Sequence, residues 1–420
     1  MTAERRCVLL FSATTGYQLR AFTESADRLG VDLLLATDRC KSLDDPWGDR
    51  AFPVKFDRPE TLARLNGLSP DAILAVGDRP AMLAAEAAER FGLSFHSGAG
   101  ARACHDKFLA RQLYQAAGLP VPSFFRVPLQ EDAAEMADRA PFPCVLKPLG
   151  LSASRGVIRA NDRAEFIAAY ERIRRMLEKA PDLRVQRDEQ HHWLQVESFI
   201  AGREFAVEGL VTHGSLHVLA IFDKPDPLDG PFFEETIYVT PSREPVSTQA
   251  AIRDAVERSV RALELRHGPI HAEMRVNAEG VWMLEIAARP IGGLCARALR
   301  FRLADEEVPL EELLLRQALG EDVHRAVPLT AASGVMMVPI PRGGIYESVD
   351  GVDRARAIPG IDDVVITATP GQRLLPLPEG SSYLGFLFAH GSDADAAEQA
   401  LRRAHAELRF RIATALETIT

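Results

Sequence analysis

No stretch of this chain approaches the roughly 18 to 20 consecutive apolar residues that a bilayer-spanning helix needs, so no membrane span is expected. Basic residues are in deficit. Lys and Arg number 49 against 59 Asp and Glu, a net charge of -10, which is the wrong sign for a protein that grips nucleic acid through its phosphates. Cysteine is scarce: the five in 420 residues, Cys7, Cys40, Cys104, Cys144 and Cys295, form no CxxC pair. Neither a zinc site nor a disulfide framework is expected, and such usage suits a reducing cytoplasm. The N-terminal RRCVLLFSATTGYQLR has a basic start, but its apolar run is too brief for a signal peptide and reads as a first buried strand. The familiar phosphate signatures are missing as well. The turn SATTGYQ after that strand lacks GxGxxG, and GxxxxGK[ST] occurs nowhere.

What is present is a composition of 47% hydrophobic and 26% charged residues, enough for a large core divided among two to four domains. Residues 6 to 105 alternate strand and helix signals: CVLLFSA, a helical stretch from Gly16 to Leu29, VDLLLAT, FPVKF, DAILAVGD, then RPAMLAAEAAERFG. Strands alternating with helices predict a parallel α/β layer, and open sheets of that kind place ligands at the carboxyl ends of their strands.

The most informative stretch runs from His271 to Gly293, HAEMRVNAEGVWMLEIAARPIGG. It predicts two strands joined by a turn at Asn277 to Gly280. With the turn centred near Glu279, Glu273 and Glu285 fall opposite each other on the face shared by His271, Arg275 and Ala287. Met274, Val276, Trp282 and Leu284 then take the other face. Like charges opposed across a ladder destabilise it, so two facing carboxylates call for a cation, and hard oxygen ligands suit magnesium. Taken alone, the pair serves equally well as two solvated glutamates.

Other pieces precede it. DKFLARQLYQAAG predicts an amphipathic helix with Lys107 at its start and Phe108, Leu109, Leu113 and Ala116 at helical spacing. The buried strand CVLK ends in Lys147 and runs into a loop of small residues, Gly150, Ser152, Ser154 and Gly156. Small residues let backbone N–H groups close on phosphate oxygens, and a lysine can neutralise them; an ordinary glycine-rich hairpin reads the same way. In LQVESFIAGREFAVEGL, Glu197 and Glu204 offer carboxylates to an adenine amino group or to ribose hydroxyls, with Phe199 and Ile200 as an apolar slot; charged edge residues on an exposed hairpin read the same way. From Ala331 onward the strands GVMMVPI, DDVVITA and YLGFLFA lead to a helix from Asp393 to about Thr414.

In this order, Lys107, Lys147 with its small-residue loop, E-x6-E, then two hairpin glutamates followed by Arg289, the chain resembles the ATP-grasp superfamily. The wording HAEMRV and MLEIAARPIGG, the stretch DKPDPLDGPFFEETIYVTPS and the tail are similar to L-amino-acid ligases. The resemblance implies an α/β and α+β multidomain fold: a Rossmann-like domain over 1–105, a two-part nucleotide clamp over 106–305 (lobes 106–190 and 191–305) and a lid over 306–420. It implies ATP with magnesium, or manganese in its place, as the cofactors. Lys107 and Lys147 would bind phosphates, Ser152, Ser154 and Gly156 would form the phosphate loop, Glu197 with Ile200 would hold adenine, and Glu204 the ribose. Glu273 and Glu285 would bind metal, while Arg289 and Lys147 would act in catalysis. One departure is Ala287, where many relatives carry Asn, leaving a second metal with fewer ligands. The function implied is a ligase joining the carboxylate of an amino acid to an amine through an acyl phosphate, on small-molecule substrates and without nucleic acid or membrane; a homodimer is compatible. A bicarbonate-activating carboxylase and a non-catalytic ATP-binding regulator are the alternatives.

Overall fold

In the computed structural model, residues 5–13, 17–38, 47–179 and 189–414 are described. Cys40 and the expected helix start at Gly16 lie outside them. The first layer is a parallel sheet of β1 (Cys7–Ser12), β2 (Asp32–Thr37), β3 (Ala51–Pro53) and β4 (Ala72–Val76) in the order β3-β2-β1-β4. Its central strand β1 pairs in parallel with both β2 and β4. The runs VLLF and AILA are buried end to end, as expected when helices cover both faces of a parallel sheet.

A second sheet, ordered β5-β8-β6-β7, is antiparallel and joins β5 (Phe124–Pro128), β6 (Cys144–Pro148), β7 (Ile158–Ala160) and β8 (Trp193–Ser198). The helix Arg163–Lys179 closes over it through Phe166, Tyr170 and Ile173.

The third sheet has eight strands. It takes in β9 (Arg203–Thr212), β10 (Ser215–Asp223), β11 (Ile237–Thr240), β12 (Gly268–Asn277) and β13 (Gly280–Ala287). Short strands β14 (Arg300–Leu303), β15 (Glu306–Pro309) and β16 (Val327–Pro328) form a side sheet. The large sheet then resumes with β17 (Ala332–Val338), while β18 (Gly344–Asp350) stands apart, and continues with β19 (Ile361–Ile366). After β20 (Arg373–Leu374) comes β21 (Gly385–Gly391), and the chain's last strand is β22 (Arg409–Ala413). The order β13-β12-β9-β10-β11-β17-β21-β19 makes one continuous surface from the glutamate hairpin to the C-terminal strands.

The C-terminal helix is shorter than its sequence suggests, Ala394–Glu407, because RFRIA switches to alternating exposure and pairs as β22 with β18. One core ties the layers together: Leu9, Phe11 and Ile73 of the first sheet share a cluster with Phe205, Val207, Ile270 and Met274 of the large one. Among the described residues no helix is long and apolar enough to cross a membrane.

Candidate active site

The hairpin β12–β13 pairs Glu273 with Glu285 in direct register, and His271 with Ala287. A bulge follows Glu273, after which Met274 faces Met283 and Arg275 faces Trp282. The bulge revises the expected faces. Beyond it the buried positions of β13 are Val281 and Met283, and Leu284 turns to line the cavity beside Glu285 instead of joining the core. A single extra residue of this kind re-aims side chains at a sheet's functional end.

Above the hairpin lies a cavity of about 1060 Å³. Every candidate residue except Gly156 is on its wall: Lys107, Lys147, Ser152, Ser154, Glu197, Ile200, Glu204, Glu273, Glu285 and Arg289. Lys107 opens the helix Lys107–Ala116, whose first turn is capped by the Asp106 carboxylate accepting from the N–H groups of Phe108 and Leu109. The Lys107 ammonium donates to the Leu151 carbonyl at 2.6 Å and lies 3.9 Å from Glu285 Oε2. One cation thus spans the small-residue loop and the hairpin.

That loop runs from Leu149 to Gly156, with Ala153 and Ser154 in the left-handed region at φ 54° and 55°. Gly156 has φ 73°, and a Cβ there would stand 2.7 Å from both Met176 Cε and Pro148 Cγ, so only glycine fits. Its N–H donates to the Pro378 carbonyl at 2.9 Å, Arg155 Nε donates to the Glu379 carbonyl at 2.9 Å, and Arg172 grips the Glu379 carboxylate at 2.7 and 3.0 Å. Residues of the C-terminal part therefore hold the loop from above.

Glu197 has partners that its sequence position did not suggest. Its carboxylate accepts from Arg111 at 2.6 and 3.3 Å, from Lys147 at 2.6 Å and from the Gln195 amide. Burial alone would raise its pKa, but Arg111 and Lys147 bring it down to about 2. Both oxygens are thus engaged, and Glu197 holds the Lys147 ammonium at the cavity wall. The apolar slot remains, with Val145, Phe199, Ile200 and Leu284 on the cavity wall. Arg111 was missed because an arginine in a helix reads as solvated. Here it is 1% exposed, since Glu197 and the Met283 carbonyl at 2.8 Å satisfy it. The helix accordingly buries Ala110, Arg111 and Tyr114, leaving Ala116 exposed.

Lys224, whose role the sequence leaves open, lies at the end of β10 in the DKPD stretch. Its ammonium sits among Glu204 at 2.9 Å, Glu273 at 3.0 Å and Glu235, and over the Tyr238 ring. Glu204, expected to take ribose, also accepts from Arg275 Nε at 3.0 Å. Tyr238 donates to Glu273 at 3.1 Å, and buried His271 bridges Glu208 at 3.1 Å and Glu273 at 3.5 Å. Burial would lower the pKa of His271, but the two carboxylates lift it to about 9. Glu208 in turn accepts from the Ile291 N–H, fixing the turn after Arg289. Arg289 donates from Nε to Asp78 at 2.9 Å, which ties the first layer to the site. Burial would raise the Asp78 pKa, but Arg289 holds it below its usual range.

Glu204, Glu235 and Glu273 present oxygens within 4.8 Å of one another, and Glu285 faces Glu273 across the ladder. The first three are held by the Lys224 ammonium, so the opposed pair of Glu273 and Glu285 is the oxygen donor set that fits a hard divalent cation.

Two family models match the chain: an ATP-grasp domain over residues 140–298 and the L-amino acid ligase C-terminal domain 2 over residues 336–413. A formate-dependent phosphoribosylglycinamide formyltransferase from Burkholderia pseudomallei is 30% identical over 312 residues, covering 70% of this chain and 67% of that one. The chain belongs to the ATP-grasp superfamily. A D-alanine–D-alanine ligase from Ralstonia nicotianae is 27% identical over 212 residues, 48% of this chain and 60% of that protein. The crystal structure of an L-amino acid ligase from Bacillus licheniformis superimposes with a TM-score of 0.79 at 24% identity, over 97% of this chain and 99% of that one. That likeness shows an ATP-grasp fold shared along nearly the whole length.

Proposed function

We propose that this ATP-grasp protein is an ATP-dependent carboxylate–amine ligase that activates the carboxylate of an amino acid and joins it to an amine, a second amino acid being the natural choice. The observation that carries the reading is the convergence of Lys107, Lys147, Glu273, Glu285 and Arg289 on one cavity. The match of residues 336–413 to an L-amino acid ligase domain supports the choice of substrate class.

In this reading the adenine lies against Val145, Ile200 and Leu284, and the triphosphate runs under the loop Leu149–Gly156 toward Lys107 and Lys147. Glu273 and Glu285 would hold magnesium, which when bound supplies positive charge between the phosphates and the acid substrate. The substrate carboxylate attacks the γ-phosphorus, ADP leaves, and an acyl phosphate forms. Arg289, part-buried and fixed by Asp78, presents a guanidinium to that developing charge, and preorganised charge of this kind is the main catalytic device in phosphoryl transfer. The neutral amine then attacks the carbonyl carbon; the C–N bond forms, the nitrogen loses a proton to the departing phosphate, and phosphate leaves with the bridging oxygen. The segment Pro378–Tyr383 over the loop shields the acyl phosphate from water.

The test is ADP release from ATP with magnesium across a panel of free amino acids, alone and in pairs, with products read by mass spectrometry. Dipeptide formed in step with ADP supports the ligase. ADP formed only with bicarbonate and an amine would transfer the protein to the carboxylases, and tight ATP binding without turnover would make it a regulator.

A further inference from the structure

Beyond the charged end of the cavity, three aromatic rings stand together. Tyr17 meets Phe386 edge-on, with ring centroids 6.0 Å apart at 64°, and Phe386 meets Tyr383 in the same manner at 5.9 Å and 66°. All three line the cavity, as does Met337. Phe386 lies on β21, far along the sheet order from the β13 strand that carries Glu285. Tyr17 is 47% exposed, so its ring is a wall facing open space and not part of a packed core.

The wall closes on the chain just after Arg289. Gly293 has φ 61°, and a Cβ there would lie 3.1 Å from Phe386 Cε1 and Cζ, so bare backbone rests against the ring and the space beyond stays open. Glu235 lines the same cavity as Tyr383 and Phe386. Glu235 bonds Lys224, and Lys224 bonds Glu273.

The aromatic wall shares one cavity with Glu273 and Arg289, and this placement restricts the acid substrate. Its carboxylate must reach the γ-phosphate near Glu273 and Arg289, and the side chain of an α-amino acid extends only a few bonds from that carboxylate. We propose that the activated substrate is an α-amino acid with a large apolar side chain, of the leucine, methionine or phenylalanine kind, seated on Tyr17, Tyr383 and Phe386. The proposal rests on the ligase reading and deepens it. A cationic side chain would also be drawn to ring faces, but the neighbouring Glu235 is already paired with Lys224 and offers it no free counter-charge. An anionic side chain would lose its hydration against hydrocarbon without gaining a partner.

Hydroxylamine, a small strong amine, intercepts the acyl phosphate and reports the acid substrate alone as a hydroxamate. With ATP and magnesium, leucine, methionine and phenylalanine should each exceed alanine, aspartate and lysine in kcat/KM by at least about 10-fold, since each buried methylene is worth roughly fourfold in affinity. Tyr17→Ala should cut the leucine-to-alanine ratio about five- to tenfold while melting at the wild-type temperature, and Tyr17→Phe should keep the ratio. Hydroxamate chiefly from alanine, aspartate or lysine, or a ratio indifferent to Tyr17→Ala, overturns the aromatic seat and leaves the ligase standing. Absence of hydroxamate from every amino acid, with ADP released on bicarbonate, removes both readings.

Discussion

Lys224 Nζ lies 3.0 Å from Glu273 Oε1, and the same ammonium, 2% exposed, also bonds Glu204 and Glu235. One buried cation therefore holds together three carboxylates that would otherwise repel one another, and it fixes the glutamate at the head of the site. Removing one partner of a buried ionic cluster costs about 3 to 5 kcal/mol, because the remaining charges stay buried and unpaired.

Lys224→Met should lower the thermal midpoint by several degrees. Magnesium should then raise the midpoint of the variant more than that of the wild type, since a divalent ion can take the vacated place among three oxygens that lie within 4.8 Å of one another. Thermal unfolding with and without magnesium measures both effects. An equal magnesium response in the two proteins would mean that these carboxylates gather no metal.

Glu197 sets a pH dependence of stability. Arg111 and Lys147 overcome the effect of burial and hold its carboxyl at about 2, against an ordinary 4.5. A folded-state pKa depressed in this way gives stabilisation that is complete above pH 4.5 and is lost as the pH falls from there toward 2. The full contribution is on the order of 3 kcal/mol. Glu197→Gln should therefore be clearly less stable than wild type at pH 7, and the gap should narrow at pH 3. Urea midpoints at the two pH values check this, and a constant gap would remove Glu197 as the source.

The parallel first layer, the hairpin register and the opposition of Glu273 to Glu285 were all legible, because period-two alternation and a four-residue turn fix which residues face each other. The bulge after Glu273 was not, since a bulge depends on what approaches the strand and not on the strand's own pattern. Arg111 and Lys224 were hidden for a related reason: a charged residue is buried only when partners remote in sequence satisfy it, here Glu197 and Met283 for one, and Glu204, Glu235 and Glu273 for the other. The carboxylate of Glu197 was legible but its ion pairs were not, because an E-x6-E spacing says nothing of Arg111. The strand β22 was lost to the preceding helix, whose alanine-rich pattern runs directly into RFRIA.

The contact of Glu379 with the small-residue loop gives a third expectation. Arg172 holds the Glu379 carboxylate with two bonds, and both side chains are about two-fifths exposed. A forked pair at that exposure contributes about 1 kcal/mol. Glu379→Ala should speed tryptic cleavage after Arg155 about fivefold without nucleotide, if cleavage follows the open population of the loop. ATP with magnesium should suppress cleavage in both proteins. Equal rates in the variant and the wild type would show that the backbone bonds to Pro378 and Glu379 are sufficient alone.

The last expectation separates the two hairpin glutamates, which face each other but live in different surroundings. The Glu273 side chain is 15% exposed and bonded to Lys224, His271 and Tyr238, whereas that of Glu285 is 37% exposed with Lys107 at 3.9 Å. Glu285→Gln should therefore fold and melt like the wild type, yet lose about 10²-fold or more in ADP release, because the metal and its balance of transition-state charge would go with the carboxylate. Glu273→Gln should lose a similar factor and stability besides, since it leaves Lys224 and His271 short of a counter-charge. Calorimetric titration with a non-hydrolysable ATP analogue, with and without magnesium, distinguishes lost metal from a damaged pocket: Glu285→Gln should keep metal-free nucleotide affinity and lose the gain that magnesium provides. Near wild-type turnover of Glu285→Gln at saturating magnesium would take the metal role away from Glu285.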